Sequence, residues 1–328
     1  MPRKAEAYRR ETYFRDALVD ATDLFGDAAL DVVHDGALVM MKPDGLRSGK
    51  LGMVHDFVTD HGFEVVAVEE VTFTRHMWRE LWRHQLNAAT LDRLAIKDAL
   101  YTDRDVLVLV LRCTACGALP GTVRLSRLKG SADLTVQAYD TLRSRLRQPN
   151  RVFSLVHFAD EPADLLRELG VLFPDETRRR LLGALASGRL AGRDRARLDA
   201  ALAHEATIEG DPFALPDAVA RVEAALADTP LDSAEKRSRA ASVAEHVRTA
   251  TAGAGIDWRW LVAELSALGC PVDPWDVLVV GSYTVVADEP GEPKFIGNPD
   301  QFAWDGPVLS SVGAVPVLVP DLGREERQ

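Results

Sequence analysis

Cysteine is scarce in this chain. There are three among 328 residues, two of them in Cys113-x-x-Cys116 and the third at Cys270. So low and odd a count fits a reducing cytoplasm better than a disulfide framework. A lone CxxC supplies half of a tetrahedral zinc site, and no neighbouring His or second CxxC completes it. Structural or incidental thiols are therefore expected. Long apolar runs are also missing: none reaches the roughly 20 residues that a bilayer-spanning helix needs, so no membrane partner is expected. The opening residues, MPRKAEAYRRETYFRD, lack the apolar stretch of a secretory leader. Glu6, Glu11 and Asp16 do not suit a transit peptide, and an amphipathic starting helix is expected. Positive charge is in deficit, with 39 Lys and Arg against 50 Asp and Glu and a net charge of -11. That balance opposes broad nucleic-acid binding but leaves room for a local basic pocket. No repeat of fixed period appears.

What is present is an ordinary globular composition, 47% hydrophobic and 27% charged, long enough for about two domains. Residues 1–36 form a polar, helical extension. Residues 37–172 alternate strand and helix: Ala37–Met41, a helix from Gly49 to His61, a strand over Phe63–Thr74, and helices over Arg75–Leu100. The continuous Val/Leu run Asp105–Arg112 then predicts a buried central strand. Ala118–Arg127 reads as a loop and Ala132–Arg147 as a helix. Arg151–Phe158 reads as a fourth strand, and Asp160–Leu172 as a helix with Asp160 at its N-cap. Four strands with these crossovers suit an α+β, ferredoxin-like (split βαβ) sheet, whose strand order periodicity does not fix. Residues 173–328 form a mainly helical domain ending in strands at 276–288 and 307–320. Trp78 and Trp82, spaced i to i+4, read as core. Arg178–Arg180 and Arg193–Arg197 read as solvated helix faces, and Asn298-Pro299-Asp300 as a turn.

The chemistry concentrates around Ala37–Gly52. Lys42 ends a buried strand, where its ammonium is costly to desolvate unless an anion meets it. Pro43-Asp44-Gly45 follows, a tight-turn sequence with Pro to fix φ and Gly available for positive φ. The stretch reads as one wall of an anion site, of phosphate above all.

Three motifs in order resemble the nucleoside diphosphate kinase family. They are Lys42-Pro43-Asp44-Gly45 after the first strand, Pro120-Gly121-Thr122-Val123-Arg124 after the third, and Leu155-Val156-His157-Phe158-Ala159-Asp160 at the end of the fourth. The resemblance covers 37–172, under half the chain. It implies a ping-pong transfer of the γ-phosphoryl group of ATP or another nucleoside triphosphate through phospho-His157, to a nucleotide or an atypical small acceptor. Imidazole suits the part, since a substantial fraction is unprotonated at neutral pH. Glu168, in the next helix, is then the acceptor that orients the ring. Lys42 and Arg124 become the cations on the phosphates, with Thr122 and Ser154 beside them. Mg²⁺ would arrive on the nucleotide, without a carboxylate cage. Oligomers are common in that family, so a homo-oligomer is among the implied arrangements.

Departures from the family pattern cluster at one end. Ser154 replaces its asparagine, and Phe158-Ala159 its small Gly-Ser. Gln85 and Arg93 fall where an ungapped count expects a Tyr and a base-stacking Phe, with Trp82 or Tyr101 as substitutes. The segment from Arg112 to Pro120 is short and lacks phosphate-contacting residues, whereas Leu125–Gln148 is long and brings Arg127 and Lys129 as replacement cations. Phosphate handling is better kept than base recognition. The competing expectation is a catalytically degenerate module that binds or scaffolds a nucleotide.

Overall fold

The structure is a computed structural model that describes residues 2–296 except 252 and 254. The expected strand at 307–320 and the turn at Asn298-Pro299-Asp300 lie outside the described residues. Three helices open the chain: α1 (Pro2–Tyr8), α2 (Thr12–Phe25) and α3 (Ala29–Asp35). Four strands follow, β1 (Gly36–Met41), β2 (Phe63–Phe73), β3 (Arg104–Cys113) and β4 (Val156–Phe158). They form one antiparallel sheet in the order β2-β3-β1-β4, the split βαβ arrangement. All of β1 is buried, as is the apolar run of β3, so the two most apolar segments take the centre. Pairing runs from Gly36 opposite Arg112 to Met41 opposite Leu107, and Met40 also faces His157 on β4. The sheet thus has two ends, roughly 17 Å apart along β1 at strand rise. Gly36, Phe63 and Cys113 lie at one; Met41 and Lys42 lie at the other.

Between β1 and β2 come α4 (Pro43–Arg47) and α5 (Leu51–Asp60); between β2 and β3, α6 (Arg75–Leu81), α7 (Arg83–Leu86) and α8 (Leu91–Tyr101). The β3–β4 connection holds α9 (Gly121–Lys129) and α10 (Leu142–Leu146). After β4 come α11 (Pro162–Leu172), α12 (Asp175–Ser187), α13 (Gly192–Glu205), α14 (Leu215–Ala227), α15 (Ala234–Ala250), α16 (Trp258–Leu268) and α17 (Pro274–Thr284). Every residue of α11 is buried, because the sheet lies on one side and α1 and α2 on the other. α12 and α13 pack on β2, and α16 and α17 on α8.

Several local expectations change. Pro43-Asp44-Gly45 is the first turn of α4, with Pro43 at its N1 position and Lys42 as N-cap, so no positive φ is needed there. Residues 121–129 are helical rather than a loop, whereas 132–147 holds only a 3-10 turn and the short α10. The fourth strand shrinks to Val156–Phe158, and Glu161 rather than Asp160 caps α11. The strand expected at 276–288 is helix α17. Its Val277–Val280 run is buried on all sides, so it carries no period to separate the two forms, and Asp273 caps the helix through Trp275 N–H. Cys113 and Cys116 form a disulfide where free thiols were the expectation; the turn at the end of β3 brings their Cα atoms to 5.7 Å, within bridging range. The arginine clusters are only in part solvated faces: Arg193 and Arg195 are exposed, but most of the clustered guanidinium groups are spent on ion pairs. Arg178 is buried on Asp20, and Arg180, Arg193 and Arg197 converge on Glu69 of β2.

Candidate active site

β4 places His157 beside Met40, at the Lys42 end of the sheet. Eleven residues on, Glu168 sits in the second turn of α11, and its Oε1 lies 2.9 Å from His157 Nε2. On the other side of the ring, Trp82 Nε1 reaches His157 Nδ1 at 3.3 Å. An indole N–H only donates, so Nδ1 must accept and the ring proton must sit on Nε2, facing the carboxylate. The two partners therefore fix the tautomer. Trp82 meets the imidazole edge-on at 5.4 Å and packs on Tyr101 at 5.0 Å. The His157 side chain is 18% exposed and that of Glu168 only 7%. A cavity of about 20 Å³, lined by Lys4, Tyr8, Trp82, Asp164 and Glu168, lies behind the ring and has room for a single water molecule. Lys4 and Tyr8 of α1 hold Asp164 there at 2.6 and 3.0 Å, and Arg167 pairs with Glu11 and Glu80. The N-terminal helices thus wall the carboxylate side of the site.

Lys42 is 2% exposed, with its ammonium 2.7 Å from Ser154 Oγ and 3.3 Å from Asp44 Oδ2. Burial draws its pKa down, and the Asp44 carboxylate only partly offsets this. The backbone between Lys42 and His157 is drawn tight. Lys42 N–H donates to Leu155 O at 3.0 Å, and Leu155 N–H donates to Asp44 Oδ2 at 2.8 Å. Leu155 takes φ +58°, closed by a Val156 N–H to Ser154 O bond of 2.6 Å. This is a γ-turn in the left-handed region, a strained form that persists because both its peptide groups are tied down. It also explains Gly45: a Cβ there would stand 2.2 Å from Leu155 O.

The arrangement carries more buried positive charge than the motifs announce. Arg143 of α10 donates to Gly130 O and Val156 O at 3.0 and 3.4 Å, while its Nε, among the described residues, is buried without a partner. Burial pulls its pKa to about 10, so it stays charged at neutral pH. Lys97 of α8 donates to Val152 O at 2.6 Å and Tyr101 OH at 3.2 Å, and burial, then Lys42, pushes its pKa well down. Asp44 is the carboxylate set against Lys42 and Lys97, while Arg143 faces Asp160 first and Asp44 second; the Asp44 Oδ1 is buried without a partner among the described residues. Lys42, Lys97 and Arg143 thus form a buried basic cluster that Asp44 and Asp160 offset only in part.

Among the residues expected at the site, His157, Glu168, Lys42 and Ser154 come together. Arg124 and Thr122 do not. Gly121, at the start of α9, abuts the Gly36 and Asp35 carbonyls, so the first turn of α9 lies at the far end of the sheet. Arg124 spends its guanidinium on His61 O at 2.9 Å and Ala115 O, above the Phe63 ring. Thr122 is fully buried in the same turn. Arg127 is half-buried further along α9, and Lys129, at its end, pairs with Asp160. Burial pushes the Asp160 carboxyl up, but Lys129 and Lys4 outweigh it and hold the group well below the usual range. Arg143 and Lys97 escaped the sequence reading; Arg93 entered it only as a departure from an expected aromatic, and Trp82 as a core residue or a substitute for that aromatic.

The family model described as nucleoside diphosphate kinase matches residues 35–178. A nucleoside diphosphate kinase of Nocardioides sp. is 28% identical over 146 residues, 42% of this chain and 95% of that protein. One of Ignicoccus hospitalis is 25% identical over 139 residues, 42% of this chain and 88% of that protein. A thioredoxin domain-containing protein 3 homolog of Heliocidaris crassispina is 26% identical over 147 residues, and there the match spans only 17% of the relative's length. The solved nucleoside diphosphate kinase of Pyrobaculum aerophilum matches at a TM-score of 0.36 and 17% identity, over 43% of this chain and 97% of that one. Residues 35–178 therefore form a divergent domain of the nucleoside diphosphate kinase family.

Proposed function

We propose that this domain moves the γ-phosphoryl group of a nucleoside triphosphate through His157 to a nucleotide or another small acceptor. The observation that carries the reading is the clamped ring, with Glu168 on Nε2 and only an indole N–H on Nδ1. Nδ1 is then the nucleophile. Its lone pair attacks the γ-phosphorus, the bond to the β–γ bridging oxygen breaks, and the nucleoside diphosphate leaves with that electron pair. The Nε2 proton stays on the ring, and the buried Glu168 carboxylate stabilises the positive charge that the ring acquires. An acceptor oxygen then takes the phosphoryl group and frees Nδ1. Lys42 and Arg143 offset the charge of the transferring group, which in phosphoryl transfer is most of the catalytic task. Mg²⁺ would come on the phosphates and offset charge there. Asp44 Oδ1, buried and without a partner among the described residues, is the oxygen suited to accept from one of its waters.

A second reading has one observation in its favour: Trp82 occupies the Nδ1 lone pair, as it would in a site that binds a nucleotide without reacting. One experiment separates the two. The protein is incubated with γ-labelled ATP and Mg²⁺, and acid-labile, base-stable label is sought on the chain. Labelling that His157→Ala abolishes is expected. An unlabelled wild type would sink the transferase reading, and label that survives His157→Ala would sink the nucleophile.

A further inference from the structure

Residues 286–296 run along residues 84–93 at the mouth of the cation cluster. Thr90 N–H donates to Ala287 O at 3.4 Å, Thr90 Oγ1 to Val286 O at 2.6 Å, and Glu289 N–H to Ala88 O at 2.8 Å. Asn87 holds Pro293 O and Phe295 N–H at 2.8 and 3.0 Å. The attachment is mostly polar, with Ile296 packing partly buried against the core at its far end. No residue of 286–296 is buried, and Val286 and Phe295 are 65% and 76% exposed, so little apolar burial resists detachment.

At the centre of this strap one carboxylate faces two guanidinium groups. Asp288 Oδ1 meets Arg93 Nη1, and Oδ2 meets Arg151 Nη2 at 3.1 Å. Both arginines connect to the interior. Arg93, Lys97 and Tyr101 recur every four residues on one face of α8, about 6 Å apart along its axis. Tyr101 has Lys42 Nζ 6.0 Å from its ring, and Lys97 is bonded to the carbonyl of Val152, next to Arg151. A line of basic groups therefore runs outward from Lys42 through Lys97 to Arg93 and Arg151. Asp44 stands against its inner end and Asp288 against its outer end. A carboxylate and a phosphate group offer paired arginines the same acceptor geometry.

We propose that Arg93 and Arg151 form an anion subsite, filled by Asp288 in the free protein, and that a phosphate group of the substrate takes it over and lifts residues 286–296 away. The inference rests on the phosphotransferase reading for the identity of the substrate, but not for the exchange itself. The strap then acts as an internal competitor. It lowers apparent affinity by the fraction of molecules in which it is seated. Arg93 also stands where an ungapped count on the resembled family expects a base-stacking aromatic, so this end of the site selects for charge.

The test uses the full chain, pyrophosphate as probe, and amide hydrogen exchange. Saturating pyrophosphate speeds exchange at Thr90 and Glu289. Asp288→Asn tightens pyrophosphate binding about tenfold by removing the competitor, and Arg151→Gln weakens binding in both backgrounds. Three results overturn the proposal: no binding to either wild type or Asp288→Asn, binding that leaves those two amides unchanged, or an Asp288→Asn variant that binds no tighter. Phosphohistidine is assayed separately on the same proteins. Strap release without label removes the transferase reading and keeps the subsite; label without strap release does the opposite.

Discussion

Replacing Trp82 by Phe should make His157 a faster nucleophile. The substitution keeps an aromatic ring for Tyr101 and Phe73, which Trp82 contacts at 5.0 and 6.2 Å, and deletes the N–H that reaches Nδ1 at 3.3 Å together with the five-membered ring that carries it. That hydrogen bond exists while the lone pair is idle and must break before it attacks phosphorus. It stabilises the ground state and not the transition state, so it adds to the barrier. A neutral hydrogen bond contributes about 0.5–1.5 kcal/mol net, and one this long falls near or below 1. Removing about 1 kcal/mol from the barrier raises the rate about fivefold. Glu168 still holds Nε2, so tautomer and ring orientation survive. Rapid-quench labelling with γ-labelled ATP in a single turnover reads the phosphorylation step alone. A Trp82→Phe protein that melts like the wild type and labels His157 no faster refutes the reasoning, since Trp82 would then be positioning the ring or the nucleotide.

Arg143→Met should slow His157 labelling about 100-fold, the cost of about 3 kcal/mol for one preorganised donor, whereas Arg124→Met should leave it unchanged; equal effects would return α9 to the site. Gly45→Ala puts a Cβ 2.2 Å from Leu155 O, and the forced shift of the strained turn should destabilise the chain by about 2 kcal/mol or more in urea unfolding. For Glu11, burial pushes the carboxyl up, but hydrogen bonds from His84 and Arg167 outweigh it and hold the pKa at about 2, below the ordinary 4.5. Because the folded value is the lower one, this stabilisation is complete above the unfolded pKa and fades as pH falls toward 2. Glu11→Gln should therefore flatten the change in urea midpoint between pH 5 and pH 2.5, and a slope equal to that of the wild type would exclude Glu11 as its source.

Much of the sheet was legible because its two central strands are apolar on both faces and its crossovers carry helical spacing. His157, Glu168 and Lys42 were legible because each sits at a fixed offset within one element or one short turn. Arg124 was misplaced for the complementary reason. Pro120-Gly121-Thr122-Val123-Arg124 is a local pattern, but where it points depends on α9 docking against β1 and α3, which is a long-range matter. Arg143 lies in a stretch with no motif, and only the folded connection brings it under Val156 O. Trp82 has the spacing of a core residue and is one on the Tyr101 side; its second role rests on a single N–H. Val277–Val280 shows the limit of period counting, because a fully buried run looks alike as strand or helix. Arg178, Arg180 and Arg197 looked fully solvent-facing because their carboxylate partners, Asp20 and Glu69, lie more than a hundred residues away.

The network around Glu69 has a consequence for assembly. β2 is an outer strand, and an outer strand normally offers its free backbone groups to any chain that can pair with them. Here side chains of α13 take the place of a neighbouring strand: Asp194 Oδ1 accepts from Val68 N–H at 3.4 Å, and Arg197 donates to Val68 O at 2.5 Å. A second copy cannot extend the sheet past Val68 without first prising α13 away, together with the ion pairs of Arg193 and Arg197. Any association of this protein with itself must use a surface other than this stretch of β2.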